Sequence, residues 1–375
     1  MFNHKYFACI GALAFCLGAA HSPASAATAS EEAAATLGDA KAGPSIKLPK
    51  LKLGILQLNA QAEVAFRIAE GARIPAQELG WDVVICDSQG DPAKMASCAS
   101  SLLNQGVNAI MAVAIEPAPV MAQLREAKAK NVPWFIIGGG ATPNELITAQ
   151  FAPRETEMSD LLHEYLVKRL AEKGPGAKTI AISTFSAVWA GKQRSDALYK
   201  DVKGKNIKIV DEHVSDLANQ IADARQSVTH QLTAFPKLDA ILGTADYTLP
   251  VMGQLVAQYY PGKSFPDRPL VIGYLDDLIN LDAIRKGQAD VLATMRLDAC
   301  GWVAVDQLAQ FSARKAAVDP NAYLDSKRVY GMDMTEATLI DKANLPPPGK
   351  YVEPSGDFQT FFHSKWKREF IGIGG

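Results

Sequence analysis

Short apolar runs alternate along this chain with segments whose apolar residues recur three and four apart. The runs at residues 51–58 (LKLGILQL), 81–87 (WDVVICD), 108–114 (NAIMAVA) and 132–139 (VPWFIIGG) have the length and composition of strands buried on both faces of a parallel sheet. The stretches between them carry helical spacing, so this part predicts a β-α-β-α-β-α-β order and a parallel sheet. After Gly140 the alternation resumes with a helix over 159–173, closed by Gly174-Pro175-Gly176. Strands follow at 178–184, 207–213, 239–245 and 269–275, separated by helices over 192–200, 218–232 and 249–259. A short helix at 282–286, a strand at 290–297 and a helix over 301–312 complete the pattern. The expected fold class is α/β, with two doubly wound parallel-sheet lobes. Ligands of open α/β sheets bind outside the carboxyl ends of the strands, so a crevice shared by the two lobes is the expected site.

The first 26 residues stand apart from this pattern. Lys5 gives a positive start, residues 7–20 an apolar stretch, and Ala24-Ser25-Ala26 a small-residue cleavage site, the layout of a secretory signal peptide cleaved near Ala26. Phe15 precedes Cys16, where a lipoprotein signal calls for a small residue. Residues 27–50 are Ala-rich without sustained apolar periodicity and read as a flexible leader. No later run approaches the roughly 18 apolar residues that a membrane span needs. The expectation is an exported, soluble, periplasmic protein.

With 375 residues, 48% hydrophobic and 21% charged, the chain can bury a large core and has the length of two domains. A net charge of -2 argues against nucleic-acid partners. Beyond the leader the cysteines are Cys86, Cys98 and Cys300, an odd count for an oxidising compartment. Cys86 ends the second strand and Cys98 lies in the next helix. The pair could bridge, or all three could be small buried apolar residues. No Gly-x-Ser-x-Gly elbow, His-Glu-x-x-His, Cys-x-x-Cys or phosphate loop appears, and His163, His213, His230 and His363 lack metal spacing. The expectation is a binding protein without catalytic residues, metal or cofactor. The tail at 346–375 gathers aromatics with basic residues (FQTFFHSKWKREF), either an arm that packs along the lobes or a docking patch for a membrane component.

The order of LQLN, CDSQGDPAK, the Lys192-Gln193-Arg194 helix start, GTAD and VIGYLDD resembles type I periplasmic binding proteins over about residues 51–339. This is the ribose and galactose class, whose relatives include the periplasmic receptors for autoinducer-2 and trimethylamine N-oxide. The resemblance implies lobes that close on a ligand about three hinge crossings, here near 151–154, 295–298 and 326–330. Residues 51–152 with 298–325 would form one lobe and 153–297 with 326–345 the other.

The same resemblance points to cleft residues. Sugar-binding relatives stack a ring between aromatics at the start of the first helix, where this chain has Val64 and Ala65, and place a polar pair where it has Gly138-Gly139-Gly140. Arg194 stands where relatives keep an arginine for ligand hydroxyls, and its fork suits a diol, carboxylate or phosphate. Asp246 matches a common crevice acid, Tyr274 and Asp276 a ring and an acid after a strand. Arg296, in ATMRLDACG, matches a ligand arginine of the autoinducer-2 receptor. Asn59 and Gln61 follow the first strand. Arg154 lies near a tryptophan that boxes the cation in the amine-oxide receptor, and would repel such a head group. The alternative for each charged residue is an exposed loop salt bridge. The implied ligand is small and polyhydroxylated or anionic. The implied partner is an inner-membrane ABC permease, with a membrane sensor histidine kinase as the alternative.

Overall fold

The computed structural model describes residues 44–216, 219–352 and 357–373, so the export signal and most of the leader lie outside the described residues. The described chain opens on a short strand, β1 (Ile46–Lys47). The first lobe then follows from five apolar runs: β2 (Lys52–Gln57), β3 (Asp82–Asp87), β4 (Ala109–Val113), β5 (Trp134–Ile137) and β6 (Ala149–Phe151). They form a fully parallel sheet in the order β3-β2-β4-β5-β6. Helices α1 (Glu63–Glu78), α2 (Pro92–Asn104) and α3 (Met121–Ala129) make the crossovers. Helix α1 turns Ala65, Ile68, Ala69, Ala72 and Ala76 inward at the spacing the sequence shows. Helix α2 starts where Asp91 accepts the N–H groups of Ala93 and Lys94, with Pro92 in its first turn. Cys86, on β3, and Cys98, on α2, are joined in a disulfide with Cα atoms 5.5 Å apart, while Cys300 is a buried free thiol.

The second lobe repeats the plan. Its strands are β7 (Lys178–Thr184), β8 (Ile207–Val214), β9 (Ala240–Gly243), β10 (Leu270–Tyr274), β11 (Val291–Thr294) and β12 (Thr338–Asp341), in the order β12-β11-β10-β9-β7-β8. All neighbours run parallel except β11 and β12, an antiparallel edge the sequence pattern did not announce. Its helices are α4 (Glu155–Ala171), α5 (Trp189–Val202), α6 (Gln220–Ala234), α7 (Thr248–Tyr259) and α8 (Leu278–Arg285). Both sheets reverse direction between their first and third strands in chain order, β2 and β4 in one lobe and β7 and β9 in the other. A crevice therefore opens at the carboxyl end of each.

The chain crosses between lobes between β6 and α4, and again between β11 and α9 (Ala299–Arg314), which packs back on α1. There the backbones nearly touch: a Cβ added to Gly301 would lie 2.4 Å from the Gly71 carbonyl carbon. The third crossing lies beyond α10 (Ser326–Tyr330) rather than within it. Tyr330 still belongs to the first lobe, its hydroxyl donating to Asp306 and accepting from Gln307, both on α9. After β12 the tail crosses once more, to α11 (Phe358–Glu369) and β13 (Phe370–Ile371), and β13 pairs in parallel with β1. Trp366 stacks on Trp302 of α9 with centroids 5.6 Å apart, and Phe358, Phe362 and Phe370 are buried. The aromatic tail is therefore an arm packed on the first lobe.

Candidate functional site

The two reversal points face each other across a cavity of about 80 Å³. Leu58 and Asn59 follow β2, Ala114 follows β4, Phe185 follows β7 and Asp246 comes soon after β9, and all line it. Two lining residues, Ala114 and Leu275, hold φ of 52° and 69°, a left-handed backbone that side chains other than glycine seldom adopt. Such strain at strand ends facing one cavity is the kind stored at binding sites. The walls are mainly apolar. Val64, Ala65 and Ile68 come from α1, and Phe185 and Tyr247 meet edge to face at 5.7 Å from the other lobe. Across the mouth a Cβ on Gly140 would lie 2.7 Å from the Trp189 ring, so the absence of a side chain lets the lobes meet there.

The charged groups are engaged before any ligand arrives. Arg194 is buried on α5 and grips Glu155, at the start of α4, through Nε to Oε2 at 2.7 Å and Nη2 to Oε1 at 3.1 Å. Its Nη1 donates to the Thr244 carbonyl at 2.8 Å, and its guanidinium lies 4.6 Å from the Tyr274 ring centroid. Burial opposes its charge, yet Glu155 holds its pKa above the ordinary value. Of its five N–H groups these bonds use three, which leaves donors for a neutral acceptor but no uncompensated charge. Beside it Asp246 faces Asp277, whose carboxyl is pushed up to about 9, first by burial and then by Asp246.

The lobes are sealed next to this cavity. Glu63 of α1 accepts the Leu278 N–H at 3.0 Å, and Arg67, one turn later, pairs with Asp276 at 3.0 Å. Asp276 also accepts from Thr294 Oγ1 at 2.9 Å and from the Val352 N–H at 2.9 Å. Asp276 and Asp277 thus face Arg67 across the seam, with Asp246 and Glu63 beside Asp277.

Residues 59–316 match the periplasmic binding protein domain family. The chain belongs to that family. Its members bind solutes and are not enzymes. Among curated proteins the chain is similar to the ribose import binding protein of Escherichia coli, 24% identical over 202 residues. The match spans 52% of this chain and 64% of that protein, under two thirds of the relative's length. Among solved structures it is similar to a carbohydrate transporter solute-binding protein from Agrobacterium radiobacter in complex with D-arabinose. That likeness has a TM-score of 0.66 and 19% identity, covering 80% of this chain and 97% of that one. It is also similar to an ABC transporter solute-binding protein from Mycobacterium smegmatis with bound glycerol, with a TM-score of 0.67 and 22% identity, covering 81% and 100%. These structures share its fold. Among the described residues no helix is long and apolar enough to cross a membrane.

Of the residues expected in the cleft of this periplasmic binding protein, Asn59, Arg194 and Asp246 line the cavity. Gln61 does not line it: it is exposed at the rim, and its backbone N–H donates to Asn59 Oδ1 at 3.0 Å. Tyr274 lies beneath the floor, its hydroxyl bonded to Ser159 Oγ at 3.1 Å and His163 Nε2 at 3.0 Å. Asp276 is spent on the seam. Arg296 lies outside the lining, gripping Asp298 with two bonds of 3.0 Å and stacking over Phe358. Arg154 pairs with Glu157 at 3.0 Å and donates to the Leu324 carbonyl. The reasoning from sequence missed Glu155, Phe185, Gln220 and Tyr247 in the lining. Phe185 and Tyr247 follow strands at reversal points, a signal open to reading. Glu155 is 39 residues from Arg194, and nothing in the spacing joins them.

Proposed function

We propose that this protein is a periplasmic solute-binding protein that captures a small neutral polyhydroxylated ligand, sugar-like, between its lobes and presents the closed form to an inner-membrane ABC permease. The observation that carries the reading is the cavity at both reversal points, with Asn59 and Asp246 on strand-end loops and the partly engaged Arg194 between them. Hydroxyl groups suit this lining: Asp246 accepts, the remaining Arg194 N–H groups donate, and Phe185 and Tyr247 offer faces to C–H surfaces. An anionic ligand fits less well than the sequence suggested, because Glu155 already neutralises Arg194 and Arg154 and Arg296 are paired elsewhere. The relatives' sugars and polyols agree with this class. The chain would reach its place by the export signal, beginning near Ala27 after cleavage.

The test is thermal unfolding of residues 27–375 against sugars, polyols, sugar acids, amines and amine oxides. A ligand at about 1,000 times its dissociation constant adds about 4 kcal/mol and shifts the midpoint by several degrees. A shift with a pentose or polyol supports the reading. A shift confined to amines or sugar acids overturns its ligand class.

A further inference from the structure

A binding domain hinged at three crossings has its lobes joined on one side only. Here the chain crosses a fourth time, and it does so over the seam beside the cavity. After β12, Arg285 of α8 donates to the Pro346 carbonyl at 2.9 Å, and Leu345 and Val352 pack against the core of the second lobe. The stretch 345–352, which turns at residues 347–350 where the Lys350 N–H donates to the Pro347 carbonyl, then reaches α1 of the first lobe. Tyr351 places its ring 3.8 Å from the Arg67 guanidinium, with Glu63 near its hydroxyl. The next residue, Val352, donates its N–H to Asp276 of the second lobe. On the far side α11 is fixed to the first lobe. Asp306 accepts from Trp366 Nε1 at 2.8 Å and from Lys365, and Arg314 donates to Glu369 and Pro44 carbonyls.

Glu63 and Arg67 lie one turn apart on the same face of α1, and each touches both the second lobe and the tail. Each contact exists only while the lobes are closed, since opening the crevice draws α1 away from the loop at 276–278. Arg67 without Tyr351 would face the acidic seam with its outer surface in water. The Tyr351 ring covers that surface and raises the worth of the Arg67–Asp276 pair by desolvating it.

We propose that residues 345–352 form a strap across the closed cleft and that Tyr351, by capping Arg67 beside the Val352–Asp276 bond, is a positioning residue that holds the lobes shut and slows ligand escape. The proposal rests on the solute-binding reading for the escape of ligand, but not for the closure of the lobes.

The experiment therefore has two arms, both on residues 27–375. In the first, small-angle scattering without ligand compares wild type, Tyr351→Ala and Tyr351→Phe. The expected result is a larger radius of gyration for Tyr351→Ala, with Tyr351→Phe close to wild type because the ring over Arg67 remains. Equal radii for all three overturn the strap, whatever the protein binds. In the second, stopped-flow fluorescence of Trp189, which meets Gly140 across the mouth, follows dissociation of D-ribose and D-arabinose. Release from Tyr351→Ala should be roughly tenfold faster, the loss expected for one partly desolvated cation–π contact. Unchanged release overturns the proposal. A wild type that answers to neither sugar counts against the ligand reading, and the scattering arm still decides the strap.

Discussion

At the scale of single residues, the site is governed by what its charged groups already hold. Arg194 was read as a cleft residue through the resemblance to sugar-binding relatives, and it does line the cavity. Its bond to Glu155 was not legible, because a partner 39 residues away leaves no periodic trace. That partner changes the expected behaviour of a variant. Arg194→Ala strands a carboxylate 2% exposed, and breaking a buried pair from one side costs about 3 to 5 kcal/mol. The urea midpoint should fall accordingly, and Arg194→Lys should recover little, since an ammonium lacks the fork that meets both Glu155 oxygens. A midpoint unchanged by Arg194→Ala would remove Glu155 from the account. Gly140 gives the complementary case. A methyl group there meets the Trp189 ring only in the closed form. Gly140→Ala should therefore lower the ligand-free melting midpoint and weaken calorimetric affinity for the sugar found in the melting panel by roughly tenfold, the scale of a modest overpacking penalty. Equal affinities would show that the lobes bind ligand without meeting at that point.

At the scale of elements, strands buried on both faces were the most readable part of the chain, since continuous apolar runs leave few alternatives. The short edge strands β6 and β12 were missed, and for the same reason: an edge strand of three or four residues carries too little pattern to stand out from loop. The tail was read as aromatic and basic without a period. Folded, it is a helix whose Phe358, Phe362 and Trp366 pack on Trp302 of α9 and whose Phe361 meets Tyr330 of α10, while Lys365 reaches Asp306. Trp366→Ala removes a fully buried ring stacked on Trp302 and should cost about 3 to 5 kcal/mol in chemical unfolding. A loss below about 1 kcal/mol would mean that α11 contributes little to the first lobe. The disulfide ties the outer strand β3 to α2 over a separation of 12 residues. A loop of that size stabilises by about 3 kcal/mol in the chain-entropy account, so reduction should lower the melting midpoint by several degrees.

At the scale of the whole molecule, closure brings Asp276 and Asp277 against Arg67, with Asp246 and Glu63 beside Asp277, and the balance of charge along that seam sets a pH dependence. Asp277 is the group least able to ionise there, because it is buried and faces Asp246, with Glu63 beyond; Arg67 pulls the other way. Its pKa in the folded protein is raised to about 9, against about 3.9 in an unfolded chain, so the folded state keeps a proton that the unfolded state releases. The sign follows directly: stability contributed by this group is full below about pH 4 and is lost as pH rises towards 9. Asp277→Asn keeps the shape and removes the proton. The variant should melt a few degrees higher than wild type at pH 8, converge with it near pH 4, and bind ligand with an affinity less sensitive to alkaline pH. Melting curves of the two proteins across pH 4 to 9 give the answer. Parallel curves would mean that the seam tolerates the charge, through water or a shift of Arg67, and that closure is governed by the strap and the hinge rather than by the proton held on Asp277.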